Sequence, residues 1–138
     1  KITVRPIFLW TGDTNLKRST RSKGVVAVWD KSEEVQNVMG VPRKVDMPVV
    51  SQEICLRSHA DFKNLTSEMT FCAGNKDGSG PCSGDSGAGF IVKKGERWYL
   101  RGLVSTVIKN EDYSCNLDEF IVFADIAKLE DWIKVVTK

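Results

Sequence analysis

This sequence predicts an all-β fold, an antiparallel Greek-key β-barrel followed by a C-terminal α-helix. Three observations carry the prediction. Short β-branched or alternating segments recur along the chain, with Gly, Pro and polar residues between them. Apolar spacing of three and four, the helical period, shows clearly only near the end, at Ile126, Leu129, Ile133 and Val136. At 138 residues the chain is long enough for one domain with a real core. It shows no internal repeats and no low-complexity tracts.

Residues 1–22 read as a connector that turns polar around Thr11-Gly12-Asp13-Thr14-Asn15. Residues 23–138 read as the barrel with its terminal helix. Gly24-Val25-Val26-Ala27-Val28-Trp29 is a β-branched strand, and Asp30 to Arg43 is a loop. Lys44 to Val50 alternates with period two, as a half-buried strand must. Ser51 can accept a hydrogen bond from the first free amides of a short helix running to about Ser58. Strands follow around 69–73, 88–94, 97–107 and 119–124, with Lys94-Gly95-Glu96-Arg97 as a hairpin turn. Trp132 falls on the apolar side of the last helix, so that stripe is expected to dock on the barrel. Trp98 and Trp132 are expected to pack rather than to cage a ligand.

Composition narrows the function classes. Lys plus Arg number 20 against 18 acids, a net charge of +2. The basic residues are scattered except for Lys17-Arg18-Ser19-Thr20-Arg21-Ser22-Lys23, which carries no interleaved aromatics and reads as a solvated or cleavable loop. A nucleic-acid partner is therefore not expected. No apolar run approaches a membrane span and no signal peptide is visible, so no membrane partner is expected either. The four cysteines allow three pairings. They lack zinc-ligand spacing and the lone His59 is poorly placed to join them, so neither a metal nor a cofactor is expected. Asn64-Leu65-Thr66 is an N-glycosylation sequon.

Chemistry concentrates in Cys82-Ser83-Gly84-Asp85-Ser86-Gly87-Ala88-Gly89-Phe90. A serine hydroxyl is a weak nucleophile until a base takes its proton and N–H groups receive the charge that develops on the attacked carbonyl. A Gly-Asp-Ser-Gly turn can supply the second requirement, because its small residues let the amides of Gly84 and Ser86 converge beside Ser86 Oγ. The competing nucleophile elbow of α/β-hydrolases needs a strand before the serine and a helix after it. Gly78-Ser79-Gly80-Pro81 cannot be that strand, and Phe90 to Gly95 reads as strand and turn.

This stretch resembles the active-serine loop of the trypsin/chymotrypsin family of serine proteases, and the resemblance covers nearly the whole chain. Phe71-Cys72-Ala73-Gly74 is similar to the family's C-A-G segment. Trp98 to Ser105 is similar to the strand that ends in its substrate-pairing serine, and Asp125 to Ile133 to its C-terminal helix. Ser79-Gly80-Pro81-Cys82 and Arg97 to Gly102 resemble arthropod proteases of the gastrulation-defective and clip-associated type. Ile2 to Trp10 resembles the connector between the family's two barrels, which implies that this is the second barrel and that the first precedes it.

The resemblance implies a role for each residue. Ser86 would be the nucleophile and the Gly84 and Ser86 amides the oxyanion hole. Asp85 would be the carboxylate that pairs with the α-amino group freed by activation cleavage. Lys1-Ile2-Thr3-Val4 is not the family's usual activation sequence, so Asp85 is expected to lack that partner and the loop to be zymogen-like. Gly80, with Pro81 and Ser83 beside it, would form the primary specificity pocket, Gly80 as its floor. Val107 and Ile121 would be its walls, where open pockets have glycine. An uncharged floor and branched walls imply either a small apolar residue before the scissile bond or a pocket so filled that cleavage is poor. Ser105, Thr106 and Val107 would pair with a peptide substrate as an edge strand.

The implied bridges are Cys55 with Cys72 and Cys82 with Cys115. Together with the sequon they imply a secreted, extracellular protein. Phe8 stands where many members have the cysteine that tethers an upstream chain, so that tether is expected to be absent. Ala88 replaces the second glycine of G-D-S-G-G.

Both partners of the serine, His and Asp, come earlier in the chain in this family. His59 lies in the polar segment Arg57-Ser58-His59-Ala60-Asp61, unlike the family's A-H-C setting, and reads as a surface residue. The expected partner is therefore an N-terminal half carrying His and Asp, with protein substrates and other cascade proteins beyond it. Without the base, turnover should fall on the order of 10⁶, about 8 kcal/mol of transition-state stabilisation. The alternative is a non-catalytic homologue that serves a cascade as an adaptor.

Overall fold

The computed structural model describes residues 5–10, 23–29, 42–82 and 84–138. Of the predicted loop Asp30 to Arg43, residues 30–41 lie outside the described residues, while Pro42 and Arg43 open a strand. Also outside are Lys1 to Val4, Ser83 and residues 11–22, which hold the polar stretch and most of the basic cluster. Among the described residues seven strands form one sheet: β1 Phe8–Leu9, β2 Lys23–Trp29, β3 Pro42–Val50, β4 Thr70–Ala73, β5 Gly89–Lys94, β6 Arg97–Val107 and β7 Ile121–Asp125. The order is β1-β6-β5-β2-β3-β4-β7, and a further β6–β7 pairing closes β2 to β7 into an antiparallel six-stranded barrel. Closure gives each of those strands a neighbour on both sides over part of its length, while among the described residues the stretch Ser105–Val107 runs beside β7 alone.

The long strand β6 makes closure possible. Its first half pairs with β5, from Arg97↔Lys94 to Leu103↔Gly89. Its second half pairs with β7, from Gly102↔Asp125 to Val107↔Ile121. Register shifts at Phe90/Ile91 and Val104/Thr106 bend the strand between these two partners. On the other edge of the first half lies β1, in parallel, with Phe8↔Tyr99 and Leu9↔Leu100. The sequence reading placed no strand there, because two exposed apolar residues give no periodic signal.

Alternation along β2 and β3 turns Val26, Val28, Met47 and Val49 inward. The centre is aromatic: the rings of Phe71, Phe90 and Phe123 lie 4.8–5.3 Å apart. Two glycines make the room. A Cβ on Gly24 would sit 1.9 Å from the Phe90 ring, and one on Gly102 would sit 2.6 Å from Phe71 and 2.9 Å from the Ala124 carbonyl oxygen. A second cluster, with Cys55, Phe62 and Ile108, lies beneath two short helices, α1 Gln52–Ser58 and α2 Phe62–Leu65. Ser51 Oγ caps α1 by accepting from the Ile54 N–H at 3.2 Å. Asn64 is exposed on α2.

Disulfides join Cys55 to Cys72 and Cys82 to Cys115. With 17 and 33 residues of separation, loop closure in the unfolded chain gives each about 3 to 4 kcal/mol as an upper-end estimate.

The C-terminal stripe needs correction. Residues Ile126–Leu129 form a 3₁₀ turn capped by Asp125, and only then does α3, Glu130–Val136, begin. A 3₁₀ turn advances about 120° per residue and an α-helix about 100°, so the two segments fall out of phase. Ile126 is buried and Leu129 and Ile133 are half-buried, but Trp132 and Val136 face outward, 62% and 54% exposed. Trp98 is also 41% exposed, outside the core where it was expected to pack.

Candidate active site at the Ser86 turn

The approach to the serine is pinned from below. In Asp77-Gly78-Ser79-Gly80, Asp77 Oδ1 accepts from the Ser79 N–H at 3.0 Å and from its hydroxyl. The Ser79 hydroxyl, and then its amide, hold the Asp77 carboxyl below the ordinary carboxylate range. The Gly78 N–H donates to the Leu117 carbonyl at 3.1 Å, and Pro81 is fully buried. Cys82 is then held by its bridge to Cys115.

The turn itself is wound by left-handed glycines. Gly84 has φ 99° and Gly87 φ 85°, values at which a side chain would be strained. The Asp85 N–H donates to the Cys82 carbonyl and the Ala88 N–H to the Asp85 carbonyl, both at 2.9 Å. The Gly87 N–H donates to the Val104 carbonyl, and the Val104 N–H returns to the Ala88 carbonyl, fastening the turn to β6. Asp85 is buried. Its Oδ2 accepts from the Cys82 N–H at 3.0 Å and its Oδ1 from the Trp29 N–H at 3.3 Å. These two amides are its side chain's partners among the described residues. They solvate a buried carboxylate with dipoles rather than with a cation.

The remaining amides, those of Gly84 and Ser86, have no hydrogen-bond partner among the described residues. Ser86 is exposed beside them. It opens onto a cleft of about 220 Å³ lined also by Cys82, Gly84, Val104, Ser105, Thr106, Val107 and Lys109. The turn and the second half of β6 thus place a hydroxyl, two uncommitted N–H groups and a strand face in one place. That arrangement can seat an extended peptide beside a nucleophile and receive charge on a carbonyl oxygen.

The other half of the predicted pocket is placed differently. Gly80, Pro81 and Ile121 do not line this cleft. Ile121 is 1% exposed, and its Cδ1 lies 2.6 Å from where a Cβ on Gly80 would be. Leu117 and Met47 close in at 3.6 and 3.7 Å. The branched side chain fills the space over the predicted floor. Sequence reasoning missed Lys109, whose Nζ lies 3.2 Å from Cys115 Sγ at the cleft's edge. Nothing in its local pattern marks it; it lies two residues past the end of β6 and is bridged to Cys115.

His59 is not at the cleft. It follows α1, where its Nδ1 accepts from the Asp61 N–H at 3.1 Å and its ring meets Phe62 edge-on. Among the described residues no cluster of His, Cys, Asp and Glu could hold a metal ion, and no helix is long and apolar enough to cross a membrane.

A Gly-Asp-Ser-Gly turn fastened to a strand of a closed antiparallel β-barrel with a C-terminal helix fits the trypsin-like fold. The chain belongs to the trypsin family of serine proteases: the Trypsin family model matches residues 2–133. It is 29% identical to Serine protease gd of Drosophila melanogaster over 94% of this chain and 30% of that protein. It is 33% identical to mannan-binding lectin serine protease 1 of Mus musculus, over 68% of this chain and 13% of the relative. It is also 33% identical to the CLIP domain-containing serine protease HP8 of Bombyx mori, over 74% and 28%. The chain thus spans less than a third of the length of each of these relatives.

Proposed function

We propose that this chain is the C-terminal half of a secreted serine endopeptidase that cleaves peptide bonds through an acyl-enzyme, with Ser86 as the nucleophile. The observation that carries the reading is the exposed Ser86 hydroxyl beside the uncommitted amides of Gly84 and Ser86. Ser86 Oγ attacks the scissile carbonyl and the two N–H groups receive the oxyanion. Ser105, Thr106 and Val107 hold the substrate strand. The proton leaves to a histidine oriented by an aspartate, both supplied by an N-terminal half, since the sole histidine of this chain is engaged at α1. The two disulfides, the Asn64 sequon and the relatives named as serine proteases support an extracellular place in a proteolytic cascade.

Asp85 suggests how such an enzyme is switched on. Its carboxylate is bonded to the Cys82 and Trp29 amides, and moving it onto a new α-amino group would exchange these dipoles for a charge. The test compares this chain alone with the full-length protein after activation cleavage, using a peptide ester. The full-length protein turns the ester over and the isolated chain does not. Turnover by the chain alone would place the base within it, and a silent full-length protein would favour the second reading.

That second reading, a non-catalytic homologue acting as an adaptor, is favoured by Ile121 filling the space over Gly80. The two part on a specificity experiment. In an active enzyme the filled slot imposes a small apolar residue before the scissile bond. Ile121→Ala should raise kcat/KM for larger apolar residues by about 10- to 200-fold, the range for a methylene or so of pocket space. Because Ile121 is buried, the same change costs about 2–5 kcal/mol of stability, so rates are read well below the Tm of the variant.

A further inference from the structure

Among the described residues, four basic side chains gather around one cavity at a mouth of the barrel that shares no residue with the Ser86 cleft. Trp10, just past β1, and Lys23, at the start of β2, border a cavity of about 370 Å³. Lys93 and Lys94 reach it from the end of β5, and Arg101 from β6. Val49 and Val92 give it an apolar wall. Among the described residues that line it none is acidic, although the chain's net charge is only +2.

Two buried donors in its lining have no hydrogen-bond partner among the described residues. The Arg101 side chain is 3% exposed, its guanidinium carbon 4.6 Å from the centre of the Phe71 ring. Nη1 binds Asp125 Oδ1, but Nη2 is buried with no hydrogen-bond partner among the described residues. The indole Nε1 of Trp10 is likewise buried and unpartnered. Buried N–H groups are nearly always paired, and leaving one unmade is costly, so two such donors on one cavity point to an acceptor that belongs there. Asp125 offsets the charge of Arg101, which leaves the ammonium groups of Lys23, Lys93 and Lys94 to favour a negative one. Lys94 Nζ sits 5.7 Å from the Trp10 ring centre, so the cation and the indole already share the rim.

We propose that this mouth is a binding site for an oxyanion carried on a short apolar body. The oxyanion takes the free N–H groups of Arg101 and Trp10 under the lysine rim, and the body lies along Val49, Val92 and the indole face. Small-molecule sites combine these features, an apolar wall with a few convergent polar groups, and barrel mouths are one of their usual places. The site shares no lining residue with the Ser86 cleft, so it stands whether or not the protein is an enzyme.

The test is isothermal titration of the full-length protein with octanoate and, separately, with inorganic phosphate. Octanoate should bind saturably at one site. Trp10→Phe, which keeps the ring and removes the N–H, should weaken it about tenfold, the worth of one hydrogen bond to a charged group. The double change Lys23→Glu with Lys94→Glu lies at the solvent-facing rim and should abolish binding while leaving the Tm of the unliganded protein within a few degrees. Octanoate binding more tightly than phosphate establishes the apolar body as part of the ligand. Equal binding of the two would overturn that part and leave a site for a free anion. No saturable binding of either probe, or binding indifferent to both variants, overturns the proposal.

Discussion

Replacing Ser86 with alanine lowers kcat of the activated full-length protein on the order of 10⁶, the size of loss measured where a Ser-His-Asp set is deprived of its serine. Under the proposed function the effect is this large because the hydroxyl is the atom that would bond to the substrate, and because serine, base and orienter would act as a unit. The remaining rate over water comes from the oxyanion amides and from binding, which the substitution leaves in place. KM should change little, since the cleft walls are Val104 to Val107 and Lys109. Stability should also hold, within about 0.5 kcal/mol, because Ser86 is exposed and the turn is wound by the bonds of Asp85, Gly87 and Ala88. A variant that loses activity together with its Tm would point to a structural serine instead.

Arg101→Leu should be among the most damaging single changes to the fold, costing about 3–5 kcal/mol. The Arg101–Asp125 pair is 3% exposed on both sides and lies over the aromatic core. Removing the arginine strands the Asp125 carboxylate, whose other bond among the described residues is from the Ala127 N–H at 3.2 Å. Urea unfolding should show a lower midpoint with an unchanged m-value. Replacing both partners, Arg101→Leu with Asp125→Leu, should recover much of the loss, because no buried charge then remains. The residue of the loss should be about 1 kcal/mol, from the cap that Asp125 gives the 3₁₀ turn. A double variant no better than the single one would show that the pair is valued for something other than charge balance.

That pair also marks where sequence reading stops. Strands rich in β-branched or alternating residues were legible, because each buries one face and a period of two says which. Hence 23–29, 42–50, 70–73, 89–94, 97–107 and 121–125 fall within a residue or two of expectation. An arginine on β6 reads as solvent-facing by the same rule. Its burial is decided by Asp125 on β7, which Gly102↔Asp125 pairing brings alongside. β1 was illegible because two residues carry no period. The last helix misled because its spacing assumes one continuous α-helix, whereas a 3₁₀ turn shifts the phase and leaves Trp132 exposed.

The site divides in the same way. Small residues at 84–89 are a local signal, and they do wind a turn with two amides that have no partner among the described residues. The interior over Gly80 depends on where Ile121, Leu117 and Met47 meet, and three separate segments cannot be superposed by reading along a chain. Lys109 escaped notice too, because nothing in its local pattern marks it.

The measurement that bears most directly on the central claim is a covalent one. Activated full-length protein is treated with a fluorophosphonate, digested, and the modified peptide located by mass. The account predicts a single adduct on the Ser86 hydroxyl, absent from Ser86→Ala. No adduct, or one carried by another residue, contradicts it.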